Sequence, residues 1–308
     1  MRNSEELAEL LRALGDPTRL RLLAGLSHGE LTVGEITQVT GLSQPRVSRH
    51  LRLLCEARVL QRSRDQNHVY YRATIDEDRR GLVREALASL PKDDPIMLQD
   101  QARLTAILDS RRAQARELLR EMGVHPLSPQ AATEVGGTID NLLRTHLAPA
   151  TPGKPIGDLL DVGTGTGSML RLLAESAERA VAVDRSREMR LVARAMVLAE
   201  GFANCTVQDG DMYGLGFPAE HFDIVTMDRV LGTGHDPGQA VREAARVLKN
   251  GGHLLVVEAA GSPVGRRQLV EWMREAGLTP VEVQQTPDGT ALVVLAARRL
   301  TLSRAQVA

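Results

Sequence analysis

The stretch Leu159-Leu-Asp-Val-Gly-Thr-Gly-Thr-Gly167 decides the fold of the C-terminal half of this chain. Its first four residues form a largely apolar run that predicts a buried strand, and three alternating glycines then allow a tight turn into a helix. Without Cβ atoms, such a turn lets the backbone approach a ligand closely, as nucleoside-binding turns do. Because a glycine-rich turn alone is weak evidence, its meaning depends on the sequence around it.

Strand-like and helix-like segments alternate from residue 157 onward. This alternation predicts an α/β domain with a mostly parallel sheet of seven strands and helices on both faces. The second strand ends at Asp184, 23 residues after Asp161, where a carboxylate can accept hydrogen bonds from both ribose hydroxyls. The strand candidates are residues 157–162, 179–184, 204–208, 222–228, 252–258, 278–285 and 291–297.

A second informative stretch lies near the N-terminus, at Gly41-Leu-Ser-Gln-Pro-Arg-Val-Ser-Arg-His-Leu-Arg-Leu-Leu54. Gly41 predicts a turn after a short helix over residues 33–40, and Ser43 is placed to cap the next helix. Residues 59–73 then predict a β-hairpin. Helices followed by a hairpin in this order predict a winged helix-turn-helix, which reads DNA with its second helix.

The second helix of this motif has two different sides. Val47, Leu51 and Leu54 share one face and predict core contacts, whereas the other faces are polar and basic. Arginine can bind guanine and glutamine can bind adenine through paired hydrogen bonds in the major groove, and the serines suit phosphate. The residues of the helix and the hairpin that we predict to contact DNA are Ser43, Gln44, Arg46, Ser48, Arg49, His50, Arg52, Arg62 and Arg64.

The distribution of charge favours this interpretation. The whole chain carries a net charge of −1, but residues 41–75 hold seven arginines against two acids. A local basic patch inside a nearly neutral chain is typical of a surface that binds phosphates. The alternative is a solvated amphipathic helix without a partner, which would leave the coincidence of cap, basic face and hairpin unexplained.

Composition bounds the remaining classes of protein. With 308 residues, 43% of them hydrophobic, the chain is long enough for two or more cores. It has no apolar run long enough to span a membrane and no signal-peptide pattern, so we expect a cytoplasmic protein. Cys55 and Cys205 are expected to be separate buried thiols rather than a disulfide or a metal pair.

Prolines and glycines set the predicted domain boundaries. They interrupt the sequence between residues 123 and 156 and leave one helix near 130–147, after another helix over 96–122. The predicted domains are residues 1–92 for DNA binding, 93–155 for a helical connector, 156–299 for nucleoside binding and 300–308 for a tail.

The N-terminal part, residues 4–92, resembles the ArsR family of winged-helix repressors. The resemblance rests on Leu14-Gly-Asp-Pro-Thr-Arg-Leu-Arg-Leu-Leu23, on the residues from Gly41 to Leu51, and on Val69-Tyr-Tyr-Arg72. It implies a homodimer formed by the first and last helices of this domain. It also implies that the dimer binds double-stranded DNA at an inverted-repeat operator.

Metal sensing is not expected, and no metal site is predicted. Many ArsR-like repressors hold metals with cysteines in the helix before the turn, but residues 30–36 contain no cysteine. The acids Asp76, Glu77 and Asp78 could in principle hold a hard ion, but a solvated start of a helix is the favoured explanation for them.

The C-terminal part, residues 156–298, resembles class I S-adenosylmethionine-dependent methyltransferases. Besides the glycine turn, the resemblance rests on Gln208-Asp-Gly-Asp-Met212, on Phe222-Asp-Ile-Val225 and on residues 242–252. It implies that S-adenosylmethionine or S-adenosylhomocysteine binds with its methionine part at the glycine turn. The residues that the resemblance assigns to this ligand are Asp161, Gly163, Thr164, Gly165, Gly167, Asp184, Arg185, Asp211, Met212 and Asp228.

By the same resemblance, Asp184 holds the ribose and Asp211 the adenine amino group, while Met212 and Arg185 flank the ring. Few residues are available for a lid or a substrate pocket, because the connector lacks aromatic residues and only short loops follow the fourth and fifth strands. His235 is a candidate base, but a single histidine beside glycine and proline in a loop is more often just solvated, so the catalytic residues stay unknown.

The chain is therefore predicted to be multidomain, joining an α+β winged helix-turn-helix and a helical connector to an α/β Rossmann-like methyltransferase fold. The leading hypothesis is a dimeric transcriptional regulator that senses S-adenosylmethionine or S-adenosylhomocysteine. It is similar to ArsR-like fusions that respond to S-adenosylhomocysteine and control methionine-cycle genes. One alternative is an active methyltransferase for a small molecule that uses its DNA-binding domain for autoregulation. Another is a repressor whose second domain binds no ligand.

Overall fold

The structure is a computed structural model that describes residues 4–74, 77–91, 93–125, 127–147 and 156–299. The chain divides into two compact units, of which the first comprises Met1–Leu118 and Arg194–Gln208, and the second Leu119–Ala193 and Asp209–Ala308. The predicted tail and residues 148–155 of the predicted connector lie outside the described residues. The domain boundaries set by the sequence pattern stay predictions.

The first unit is a set of helices with a small antiparallel sheet of order β1-β3-β2. Its elements are α1 (Ser4–Leu14), α2 (Pro17–Leu26), β1 (Leu31–Thr32), α3 (Val33–Thr40), α4 (Gln44–Glu56), β2 (Leu60–Asp65), β3 (His68–Ala73), α5 (Glu77–Ala88) and α6 (Pro95–Glu121), the last of which continues into the second unit. The predicted winged helix-turn-helix is confirmed. Strand β1 was not predicted, because two residues are too short to show a period.

Local sequence explains how α3 and α4 meet. Thr32 and Glu35 form a capping box at the start of α3, with the Thr32 hydroxyl accepting from the backbone N–H of Glu35. Gly41 ends the helix with a φ of 67°, a left-handed conformation that suits glycine. Ser43 occupies the N-cap position of α4, but its side chain makes no capping hydrogen bond, so that detail of the sequence prediction was wrong.

The second unit is built on a seven-stranded sheet of order β6-β5-β4-β7-β8-β10-β9. Its elements are α7 (Pro129–His146), β4 (Asp158–Val162), α8 (Ser168–Leu173), β5 (Arg179–Asp184), α9 (Arg187–Ala199), β6 (Cys205–Asp209), β7 (Phe222–Asp228), α10 (Pro237–Val247), β8 (Leu248–Ala259), α11 (Arg266–Glu275), β9 (Leu278–Gln285) and β10 (Ala291–Arg298). Helix α9 and strand β6 also contribute residues to the first unit.

The sheet confirms the predicted mostly parallel α/β fold. Strand β4 pairs in parallel with β5 and β7, and β10 runs antiparallel between β8 and β9. Strand β8 begins at Leu248, four residues before the predicted start. A register shift lets the chain pass Gly251 and Gly252 inside the strand, where the sequence pattern suggested a break. The order of strands reverses beside β4, which is where ligands bind in such sheets.

Neither a membrane-spanning helix nor a cluster of metal-binding side chains is found among the described residues. No described helix is both long and apolar enough to cross a membrane. Across the described ranges, no group of three or more His, Cys, Asp or Glu residues is placed to hold a metal ion. Asp76 and the side chains of Glu77 and Asp78, the alternative ligands for a hard ion, lie outside what the structure describes.

Candidate functional site

Helix α4 presents a basic surface in the first unit. Val47, Leu51 and Leu54 are fully buried in the core. The predicted DNA contacts on the opposite faces are exposed in most cases. Those exposed are Ser43, Gln44, Arg46, Arg49 and Arg52. The guanidinium groups of Arg49 and Arg52 point to solvent, whereas that of the exposed Arg46 also donates to the Thr18 hydroxyl at 3.5 Å.

Two predicted DNA contacts of α4 are less accessible. Ser48 is half-buried. His50 is also half-buried, and its Nδ1 lies 3.8 Å from a carboxylate oxygen of Asp16, the residue that caps α2. Burial lowers the pKa of His50, and the positive charges nearby add to that effect. His50 is therefore placed against α2, apart from the exposed arginines.

The wing hairpin, β2 and β3, carries the other predicted DNA contacts. Arg62 and Arg64 are both exposed and share one face of β2, since alternate residues of a strand point the same way. The Nε of Arg64 donates to the carbonyl of Gln66 at the turn, at 2.9 Å. Asp65, between these arginines and the turn, is buried.

A cavity of about 450 Å³ opens in the second unit where β4, β5 and β7 end. Its size lies within the range of ~300–1,000 Å³ that is usual for small-molecule sites. The predicted ligand-binding residues that line it are Gly163, Thr164, Gly165, Asp184, Arg185, Asp211, Met212 and Asp228. The turn after β4 and the ends of β5 and β7 therefore bring eight of the ten predicted residues to one cavity.

The glycine turn is held by the carboxylate of Asp184. Its Oδ2 accepts from the backbone N–H of Gly165 at 2.9 Å, and its Oδ1 accepts from the N–H of Ser186 at 2.8 Å. Because each carboxylate oxygen has two lone pairs, further acceptor capacity remains for ligand hydroxyls. At Gly163, with a φ of 69°, an added Cβ would lie 2.3 Å from a methyl carbon of Val230, so only glycine fits.

Asp161 lies beneath the cavity and has no exposed surface. Its Oδ1 accepts from the Thr226 hydroxyl at 2.7 Å, whereas its Oδ2 has no hydrogen-bond partner among the described residues. Burial raises the pKa of Asp161 to about 6, against the lowering effect of the Thr164 and Thr226 hydroxyls, and the negative charges of Asp228 and Asp184 also raise it. Three carboxylates thus approach one another at the ends of three strands.

Gly167 plays a structural part instead of lining the cavity. It has a φ of 77°, and an added Cβ would lie 3.3 Å from the Cα of Ala193 in α9. The third glycine of the turn therefore lets α9 pack directly against it.

An ion pair between two consecutive residues, Asp228 and Arg229, lies in the wall of the cavity. The guanidinium of Arg229 donates to both oxygens of Asp228, at 2.8 and 2.6 Å, and this bonding raises the pKa of Arg229. Arg229 has a φ of 52°, which is uncommon for a residue with a side chain. Behind it, burial raises the pKa of Glu258, which accepts from the backbone N–H of Leu231 at 3.2 Å.

His235, the candidate base, does not line the cavity. Its ring lies 4.2 Å from that of Tyr213, centroid to centroid, and its backbone N–H donates to the Tyr213 hydroxyl at 2.8 Å. Both observations fit a loop that the tyrosine holds in place.

Sequence reasoning missed one wall of the cavity. Val124, His125 and Leu127, between α6 and α7, line it together with Met189 of α9. The connector was expected to contribute little because it lacks aromatic residues. No period marks residues 124–127, and the only available signal was a short apolar group interrupted by a proline.

Comparison with known proteins matches the two halves of the chain separately. The family model described as "Bacterial regulatory protein, arsR family" matches residues 16–62, and the model described as "Methyltransferase domain" matches residues 160–256. These ranges contain the helix-turn-helix and the glycine turn.

Curated relatives divide in the same way. An uncharacterized methyltransferase of Bacillus subtilis, YcgJ, is 35% identical over 100 residues, which are 32% of this chain and 40% of the relative. A biofilm growth-associated repressor of Xylella fastidiosa is 37% identical over 73 residues, 24% of this chain and 64% of the relative. The repressor of that name from Agrobacterium fabrum is 34% identical over 89 residues, 29% of this chain and 74% of the relative. The chain thus spans less than two thirds of the first two relatives.

Proposed function

Because the chain belongs to the ArsR family of bacterial regulatory proteins and carries a methyltransferase domain, we propose that it is a DNA-binding regulator controlled by a nucleoside. The nucleoside is S-adenosylmethionine or S-adenosylhomocysteine. The regulator acts as a homodimer on an inverted-repeat operator. Ligand binding changes the affinity of the dimer for that operator.

The observation that carries the proposal is the cavity of the second unit, whose donors and acceptors fit such a nucleoside. The unpartnered Oδ2 of buried Asp161 could accept from an amino-acid ammonium group, which would also offset the charge held there. Asp184 has lone pairs left for ribose hydroxyls, and Asp211 is exposed at the rim for an adenine amino group. The carboxylates of Asp161 and Asp184 favour a cationic group of the ligand, whereas that of Asp228 is already paired with Arg229.

The DNA-binding part of the proposal rests on the exposed arginines of α4 and the wing. Arg46, Arg49 and Arg52 would enter the major groove, and Arg62 and Arg64 would contact the flanking backbone or minor groove. Both sets lie in the segment of local positive charge, so they also supply phosphate affinity.

The test is DNA binding by the full chain, titrated with each nucleoside. The probe is a fluorescent DNA fragment from upstream of the protein's own gene, at fixed salt, because salt alone changes such affinities strongly. We expect one nucleoside to change the dissociation constant by about 5- to 150-fold. Calorimetric binding of a nucleoside without any change in DNA affinity would contradict the proposal.

A matched pair of variants assigns the effect to the cavity. Asp184→Asn removes a charge from its wall and should weaken nucleoside binding and, with it, the DNA response. Asp140→Asn removes a charge of the same kind from an exposed ion pair on α7 with Arg144 and should change neither. Equal behaviour of the two variants would show that the response arises elsewhere.

One observation favours an active methyltransferase as a second candidate. His125 lines the cavity, so the connector supplies an imidazole that could act as a base near a bound cofactor. The measurement is transfer of a labelled methyl group from S-adenosylmethionine to a bacterial metabolite extract. Transfer that is lost in His125→Ala would support this candidate, and no transfer by the wild-type protein would remove it.

A further inference from the structure

The first half of helix α9 contacts residues that form the proposed nucleoside cavity. Arg190 is completely buried, and its Nη1 donates to the backbone carbonyls of Asp184 and Arg185, at 2.9 and 3.0 Å. The same nitrogen donates to Asp209 at 2.7 Å. Met189 lines the cavity, and Ala193 packs against Gly167 of the glycine turn. Asp184 and the glycine turn therefore both contact α9, so a shift of either one acts directly on this helix.

The second half of α9 belongs to the first unit, and Arg194 is its key residue there. Arg194 is 4% exposed and is surrounded by groups of the DNA-binding unit. Its Nε donates to Glu30 at 2.7 Å, and its Nη1 lies 2.6 Å from Asp65 at the end of β2. The guanidinium also lies over the ring of Tyr70 in β3, 4.2 Å from its centroid.

Other contacts make this half of α9 part of the same core. Leu198 is buried in the hydrophobic cluster of the first unit, and its side chain lies close to Gly29. Arg112 donates to the carbonyl of Ala199 at 2.7 Å. Arg194 of α9 therefore contacts the wing hairpin at Asp65 and Tyr70. It also pairs with Glu30, the residue before strand β1.

We propose that α9 carries the effect of the bound nucleoside to the wing hairpin, with Arg190 holding the cavity end and Arg194 holding the wing. The proposal rests on the proposed function, because it explains how that function is regulated. Arg190 and Arg194 are four residues apart and share one face of a continuous helix. A rotation or shift of α9 that accommodates ligand would reach both residues together.

The burial of the Arg194 cluster explains why the wing would follow the helix. Arg194, Glu30 and Asp65 are each less than a tenth exposed. Separating one partner would break a pairing of buried charges, which is strongly unfavourable. The ion pairs are therefore expected to move as a group, and the wing would be displaced with α9.

The experiment compares Asp65→Asn with Asp65→Glu in the full chain. Asn has nearly the same shape but no charge, so it weakens the link to Arg194, whereas Glu keeps the charge. With the same DNA fragment and the nucleoside that acts on the wild-type protein, Asp65→Asn should retain ligand-free DNA affinity. In this variant, nucleoside should change the dissociation constant for DNA by less than about twofold. In Asp65→Glu, most of the wild-type change should remain.

Two further variants guard against a general loss of structure. Arg194→Lys keeps the buried charge without the paired geometry and should also lose the response, while calorimetric nucleoside affinity stays near the wild-type value. Asp100→Asn makes the same kind of change in another buried ion pair of the same unit, with Arg21 at 2.7 Å, and should respond like the wild type.

The outcomes separate this inference from the function on which it rests. A wild-type protein that binds nucleoside without any change in DNA affinity overturns the proposed function and the role of α9 with it. A responsive wild type whose Asp65→Asn and Arg194→Lys variants respond fully overturns only the role of α9. Loss of response in Asp100→Asn as well would do the same, because the effect would then not be specific to this cluster.

Discussion

At the scale of single residues, the buried carboxylate of Asp161 has a measurable consequence for stability. Its pKa is raised to about 6 in the folded protein, above the value of about 4 expected when the chain is unfolded. The contribution of this group to stability is therefore fully present below pH ~4 and is lost as pH rises through about 6.

We predict that Asp161→Asn becomes relatively more stable as the pH increases. The difference in unfolding free energy between variant and wild type should change by about 2 kcal/mol between pH 4 and pH 8, in favour of the variant. Urea unfolding followed by circular dichroism at several pH values measures this difference. A difference that stays constant with pH would show that Asp161 is not the group that titrates.

Individual arginines of the DNA surface should differ in what they contribute. Arg49→Ala, on α4, should weaken binding to the specific DNA site more than binding to unrelated DNA, because it is placed to contact bases. Arg64→Ala, on the wing, should weaken both and reduce the salt slope by about one, as expected for a phosphate contact. The measurement is affinity for both DNAs at several salt concentrations, with exposed Arg267→Ala as control. Equal effects of the two variants at all salts would contradict the assigned roles.

At the scale of secondary-structure elements, the capping box of α3 holds the helix that precedes the DNA-reading turn. We predict that Thr32→Ala lowers the unfolding free energy by about 1 kcal/mol, because the cap of the first turn is lost. Thr37→Ala is the matched control, since its hydroxyl only bonds the Val33 carbonyl within the helix. Thermal and urea unfolding would measure both, and a larger loss in the control would argue against the cap.

Sequence reasoning succeeded for elements that carry local signals. The bounds of α3, β5, β7 and β9 agree with the structure, because caps, glycines and apolar periodicity mark their ends. It failed where neighbours decide the conformation. Strand β8 continues through Gly251 and Gly252, because β7 pairs with the residues on either side of them, Leu248 and His253.

The candidate site was likewise predicted where local motifs mark it, and missed where residues far apart in the sequence form it. Eight of the ten ligand residues assigned by motif line one cavity, since motifs at strand ends converge at one edge of a parallel sheet. The connector wall with His125 and the cluster around Arg194 could not be found in this way. Arg194 and Glu30 are 164 positions apart, and no local pattern links them.

At the scale of the whole molecule, the proposed homodimer gives a prediction about α1. Leu7 and Leu11 on this helix are exposed, Leu11 by 53%, and such apolar side chains suit an interface. We predict that Leu11→Lys shifts the protein toward monomer in analytical ultracentrifugation and weakens specific DNA binding. Leu172→Lys on α8, where the leucine is 44% exposed, should leave both unchanged. A dimer that survives Leu11→Lys would place the interface elsewhere.

The sharing of α9 limits how this protein can be taken apart or recombined. A fragment that ended at Leu118 would lack the leucine that completes its core, Leu198, and would keep Glu30 and Asp65 without their arginine. Grafting a different sensor onto this DNA-binding unit would therefore require transplanting residues 194–208 with it.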